Sequence, residues 1–143
     1  MQRMAHGFGI TALHDADASP ALLAAYSAAD MAGELKLHVA AAISTPYGPR
    51  ATPLDYDLVD ALRDAHAAPH VDPRFVKIYL DGVPTSARSA AMLEPYVAHP
   101  DFPAGHRGEV HVGVDTLAMD IAELEARGYT VKLHTAGDGA VRV

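Results

Sequence analysis

Short apolar runs alternate along the chain with stretches whose apolar residues recur every three or four positions, the pattern of strand and helix units repeated around a parallel sheet. The first run, GITALHD at Gly9 to Asp15, predicts a strand that leaves through a DADASP turn. Ser19 then reads as a helix N-cap and Pro20 as the first helical residue, where a missing N–H does no harm. ALLAAYSAADMAG therefore predicts a helix from Pro20 to Ala32, stopped by Gly33. LKLHVAAAI, Leu35 to Ile43, predicts a second strand, and after a loop with Pro46, Gly48, Pro49 and Pro53 the pattern predicts a helix from Leu54 to Ala68. RFVKIYL, Arg74 to Leu80, predicts a third strand; a last long helix starts near Asp115 and ends at Gly128, and YTVKLHT, Tyr129 to Thr135, predicts a fourth strand. Between them Asp81 to Val112 is irregular, where connections in compact domains typically run to about 4 to 6 residues. Within it SARSAAMLEPY carries a short helical signal closed by Pro95.

A length of 143 residues predicts one domain, and an apolar share of 50% beside 20% charged residues is that of a globular chain rather than a disordered one. With 11 basic against 18 acidic side chains, a formal charge of -7, the chain lacks the clustered cations a nucleic-acid binder needs. No window of about 18 uncharged apolar residues predicts a membrane span, and the opening MQRMAHGFG lacks the apolar run of a secretory signal, so a cytoplasmic protein is expected. The absence of cysteine excludes disulfides, zinc-thiolate sites and thiol nucleophiles. Nine histidines and the carboxylates are left as catalytic or metal-binding groups.

Strand alternation selects among them. In the third strand Val76, Ile78 and Leu80 take one face and Phe75, Lys77 and Tyr79 the other, so a strand apolar on both sides places Lys77 inside. A buried ammonium is costly unless it is paired, neutralised or modified. In the fourth strand Thr130, Lys132 and His134 share a face, with His134 at the C-terminal end, the end at which active sites of parallel βα folds lie. His14, Asp15 and Asp81 hold equivalent strand-end positions. Each residue also has a structural reading: an ion pair for Lys77, a hydrogen-bonded core histidine for His134 and His14, and an N-cap of a short AVRV helix for Asp138. His66, His70, His99, His106 and His111 fall in helix ends and loops at no metal-ligand spacing and read as solvated.

Three segments together resemble the amidohydrolase superfamily, in particular the amidohydrolase 3 branch that contains the YtcJ-like proteins: GITALHDAD at Gly9 to Asp17, FVKIYLDGVPTSARSAAMLEPY at Phe75 to Tyr96, and VKLHTAGDGAV at Val131 to Val141. They are similar to the family's second, fourth and fifth barrel strands. The resemblance implies an α/β fold, a partial TIM (β/α)8 barrel of about four parallel βα units, a half-barrel lacking the first strand and the last three, spanning residues 1–143 with the long loop 81–112. It also implies a metal-dependent hydrolase acting on C–N bonds of amide or formamide-like small molecules through a metal-activated water. Lys77 matches a fourth-strand lysine that many members carry as a carboxylated, metal-bridging ligand, and His134 matches a fifth-strand histidine ligand. Asp81 and Arg88, on the loop beyond the third strand, become candidate catalytic residues, Arg88 as an anion clamp. The implied cofactor is a divalent metal, zinc first. The family's first-strand His-x-His pair, sixth-strand histidine and eighth-strand aspartate have no counterpart here, so the expectation is a partial chain, inactive alone, whose open sheet edges pair in a homo-oligomer. The alternative is a non-catalytic half-barrel that binds a small molecule or a partner chain.

Overall fold

The computed structural model describes residues 2–143 and contains α1 (Gln2–Gly7), β1 (Ala12–Ala18), α2 (Pro20–Met31), β2 (His38–Ser44), α3 (Tyr56–His66), β3 (Val71–Tyr79), α4 (Val114–Ala126), β4 (Thr130–His134) and α5 (Asp138–Val141). The four strands form one sheet in the order β1-β2-β3-β4, with β1 parallel to β2 and β2 parallel to β3. Strands in sequence order, alternating with helices, make this an α/β fold consistent with part of a TIM barrel. Among the described residues no helix is long and apolar enough to cross a membrane.

Local chemistry explains most element boundaries. Ser19 Oγ accepts from the Leu22 amide at the start of α2, Pro20 opens the helix, and Gly33 ends it with φ of 69°, a left-handed conformation glycine adopts without penalty. Asp55 caps α3 in the same way, its Oδ1 accepting from the Leu58 amide at 3.0 Å. The predicted third strand started at Arg74, but β3 starts at Val71 and runs through Pro73. Between Ala40 and Ala42 of β2 the partner strand advances from Asp72 to Phe75, so one extra β3 residue is accommodated there. A bulge is where a strand tolerates a residue without an N–H. The first strand likewise runs on to Ala18, across a register shift after Asp15, because Ala18 is fully buried. The helix α1 was not predicted; it buries no residue, so it has no apolar periodicity to read.

Two expectations are corrected. SARSAAMLEPY forms no helix, because its backbone bonds elsewhere: the Ala91 amide donates to the Asp81 carboxylate, Met92 to the Arg107 carbonyl and Leu93 to Asp138. Asp138 is not the cap of α5. Gly137 holds that position, and the Asp138 side chain accepts from Leu93 instead.

The chain forms two compact units. The first takes in the chain up to Thr45 together with Leu54–Lys77 and Glu123–Lys132. Its core is built on Leu23, Leu37, Val39, Ile43, Val76 and Leu124, all nearly inaccessible. A polar cluster closes it at one side, where Asp60 accepts from Tyr129 Oη at 2.7 Å and Arg127 Nη1 at 2.6 Å and pairs with Arg63. The second comprises Pro46–Pro53, Ile78–Ala122 and Leu133–Val143, with Ile78, Leu80, Val112 and Ala140 buried and Arg50 ion-paired to the inaccessible Asp120.

Candidate functional site

In the first unit the residue of interest is Lys77, near the C-terminal end of β3 and only 7% exposed. Its carbonyl accepts from Thr45 Oγ1 at 2.6 Å, which ties this point of β3 to the residue just after β2. Burial lowers the affinity of its amine for a proton, the Lys132 ammonium lowers it further, and Asp17 opposes both. The same Lys132 charge, after burial, lowers the pKa of His14, whose ring stands edge-on to Phe75 at 5.1 Å. Lys132 and Asp17 were not among the sequence candidates. Lys132 could have been found from its place two residues before His134, and Asp17 was hidden because DADA reads as a turn rather than a strand. Asp15 is engaged elsewhere, accepting from Tyr26 Oη at 2.9 Å.

The second unit carries His134, Asp81 and Arg88. His134 ends β4, and its Nε2 lies 2.9 Å from the Gly82 carbonyl oxygen. A carbonyl only accepts, so Nε2 carries a hydrogen, and in the neutral ring the lone pair is on Nδ1, the form that a metal ligand or general base uses. The ring rests against Tyr79 at 5.5 Å, and Tyr79 in turn meets Tyr47 edge-on at 5.2 Å.

Asp81 is completely inaccessible, and its carboxylate collects three backbone donors: Ala91 at 3.0 Å, Ala136 at 2.9 Å and Gly137 at 2.7 Å. Its Oδ1 stands 3.9 Å from His134 Nε2. This geometry gives Asp81 the work of holding the loop after β3 and the turn after β4 at fixed positions around the histidine. Arg88 sits in the left-handed region, φ 47°, with Nη1 donating to the Val97 carbonyl at 2.8 Å and its guanidinium 5.8 Å over Phe102. The Arg88 carbonyl is bonded by His106 Nε2 at 2.6 Å, and His106 stacks between Tyr96 and Phe102. The loop is thus internally braced, and Arg88 is part of the brace.

The histidines read as solvated divide. His99 is exposed, whereas His111 is buried with Nδ1 unpartnered, His106 is stacked, and His70 is ion-paired to the buried Asp30. Burial by distant segments is what single-position spacing could not register. No group of three His, Asp or Glu side chains able to hold a metal exists among the described residues.

Parallel strands in sequence order, each followed by a helix, place the chain in the class of parallel βα folds to which TIM barrels belong. The chain belongs to the amidohydrolase family, whose family model matches residues 1–143. No curated protein matches it. Among solved structures, an uncharacterized metal-dependent hydrolase from Pyrococcus furiosus superposes with a TM-score of 0.74 at 24% identity, over 99% of this chain and 28% of that one. Another from Pyrococcus horikoshii OT3 gives 0.73 at 19% identity, over 99% and 27%. The fold is shared, and the chain spans a little over a quarter of these solved structures.

Proposed function

We propose that this chain is part of a metal-dependent hydrolase that cleaves C–N bonds of amide or formamide-like small molecules, and that Lys77 and His134 each serve as a ligand for divalent metal, zinc first. The observation that carries the reading is Lys77, a primary amine buried inside an amidohydrolase-family strand and pushed toward its neutral form by burial and by Lys132. A neutral amine adds through nitrogen to the carbon of carbon dioxide and releases one proton, which leaves an anionic carbamate oxygen suited to a hard or borderline cation. His134 supports the reading because the Gly82 carbonyl holds the Nε2 hydrogen and leaves Nδ1 to donate its lone pair. Each residue taken by itself has the chemistry of a metal ligand, and a catalytic zinc site uses about three protein ligands, so further ligands from outside these two are required. When bound, a divalent ion polarises a substrate carbonyl and lowers the pKa of a water beside it. Asp81 acts through His134 as a positioning residue, and Arg88, whose guanidinium holds the Val97 carbonyl and lies over Phe102, braces the loop.

The isolated chain is accordingly proposed to be inactive and to pair with a second copy through the open edges of β1 and β4, where backbone groups lack a neighbouring strand. In a longer chain that carries the complementary strands, Lys77→Ala and His134→Asn each lower kcat/KM on N-formyl and N-acyl amines by at least about 100-fold while zinc content falls. Full activity in either variant overturns the ligand assignment. Turnover by residues 1–143 alone, with stoichiometric zinc, overturns the proposed inactivity, and a stable dilute monomer in sedimentation overturns the proposed pairing.

A further inference from the structure

The N-terminal ends of β1, β2 and β3 surround a cleft of about 640 Å³, all within the first unit. His38 is the first residue of β2 and His70 immediately precedes β3. The Val39 amide donates to the His70 carbonyl at 2.7 Å and Val39 is in register with Val71, so the sheet itself sets the two histidines side by side. Their ring centres are 4.8 Å apart with the planes inclined by 43°. Asp30, whose side chain is 3% exposed, takes the His70 amide on Oδ2 at 2.9 Å and the His70 ring on Oδ1 at 2.7 Å.

That last contact fixes the ring chemistry. A carboxylate accepts, so Nδ1 of His70 donates and the lone pair of the neutral ring lies on Nε2, away from Asp30. A buried carboxylate holding the far nitrogen of an imidazole is the outer half of a carboxylate–histidine–metal unit. The second imidazole stands at a suitable distance. Two imidazoles bound to one ion at about 2.1 Å, each ring centre about 1.1 Å behind its nitrogen, have centres about 4.5 to 5.2 Å apart at octahedral to tetrahedral angles, and these two stand 4.8 Å apart. The cations that also line the cleft are already neutralised: Arg74 is paired through two nitrogens with Asp72, and Arg63 with Asp60 and Asp64.

We propose that His38 and His70, with Asp30 behind His70, form a two-imidazole site for one late first-row divalent cation of the zinc or copper class, completed by water. The site is distinct from the strand C-terminal ends where Lys77 and His134 lie, and it does not depend on the proposed hydrolytic function. In parallel βα barrels the N-terminal strand ends serve stability rather than catalysis, so the cation acts as a clip joining the starts of β2 and β3 to the end of α2.

The test uses residues 1–143 with His134→Gln, which removes the other imidazole proposed as a ligand. Zinc titration by calorimetry gives one saturable site, and zinc raises the melting temperature with concentration as expected for a ligand of the native state. Copper(II) at one equivalent shows two equatorial imidazole nitrogens in its electron spin resonance spectrum. His38→Gln, at an exposed position that leaves the fold intact by circular dichroism, abolishes the zinc-dependent stabilisation and reduces the copper pattern to one nitrogen. Asp30→Asn weakens zinc binding by about 10- to 100-fold. Zinc affinity and copper spectrum unchanged by His38→Gln overturn the proposal, as does the absence of saturable binding in the His134→Gln protein.

Discussion

Replacing Asp81 by asparagine removes one charge and no volume, and the structure specifies what that does. Oδ2 accepts from Ala91 at 3.0 Å and Gly137 at 2.7 Å, and Oδ1 accepts from Ala136 at 2.9 Å. Asparagine keeps most by turning its oxygen toward the two-donor side, which points its NH2 group at the Ala136 amide. Two donors then face each other, one of them on a side chain that is itself inaccessible. A hydrogen bond to a charged acceptor contributes about 1.5 to 3 kcal/mol, and a buried donor left unpaired costs about 1 to 3 kcal/mol, so a local loss of about 2 to 4 kcal/mol is expected. The two retained bonds weaken as well, since they lose their ionised acceptor.

Native-state hydrogen exchange reads this loss where it occurs. At about 1.4 kcal/mol per factor of ten, the Ala91, Ala136 and Gly137 amides should exchange roughly 30- to 700-fold faster in the Asp81→Asn protein. Asp138→Asn provides the comparison, because its single accepted bond, from the exposed Leu93 amide at 2.8 Å, survives on the asparagine oxygen. Exchange at the three amides within a factor of two of the parent protein would refute the clamp.

Two further outcomes follow from positions of known surroundings. Gly137→Ala places a methyl group into the Ala91 backbone, carbonyl oxygen first, and should lower the urea midpoint by the equivalent of about 2 to 4 kcal/mol, whereas Gly113→Ala, with nothing within 4 Å, should stay within about 0.5 kcal/mol; equal effects would refute the close-approach argument. Tyr26 is pushed up to about 12 by burial first and then by the hydrogen bond to Asp15 and its charge. An unfolded tyrosine ionises near pH 10, so this stabilisation is complete below pH 10 and lost as pH rises toward 12. The stability of Tyr26→Phe should therefore fall less between those values than that of the parent, and identical slopes would show that Tyr26 contributes nothing.

The elements that could be read from the chain are those whose punctuation is local. Ser19, Pro20 and Gly33 bracket α2 within one segment, and each acts on its own helix, so the helix ends where its residues say. The predicted third strand starts at Arg74, three residues late, and only the Asp72 to Phe75 jump against β2 shows that the strand absorbs Pro73. The helix expected in SARSAAMLEPY satisfies every short-range criterion and fails on long-range ones. The Ala91 amide goes to Asp81, and the Ala91 carbonyl accepts from Gly139 and Ala140, which no helical period encodes.

The site divides along the same line. Lys77 and His134 were legible because strand alternation and strand ends are local properties, while Lys132 and Asp17 become neighbours of Lys77 only once the strands are assembled. Asp81 is the instructive case. Its strand-end position and its place on the loop made it a catalytic candidate, and its oxygens face three backbone amides drawn from residues 91, 136 and 137. Gly137 in turn is required because the Ala91 backbone leaves no room for a side chain, and Asp138 holds Leu93. The Asp-Gly of one strand end and the Gly-Asp of the other, which carried the family resemblance, are thus two halves of one clamp. Together they hold the loop and the turn in place around His134, whose Nε2 meets the Gly82 carbonyl of the same loop.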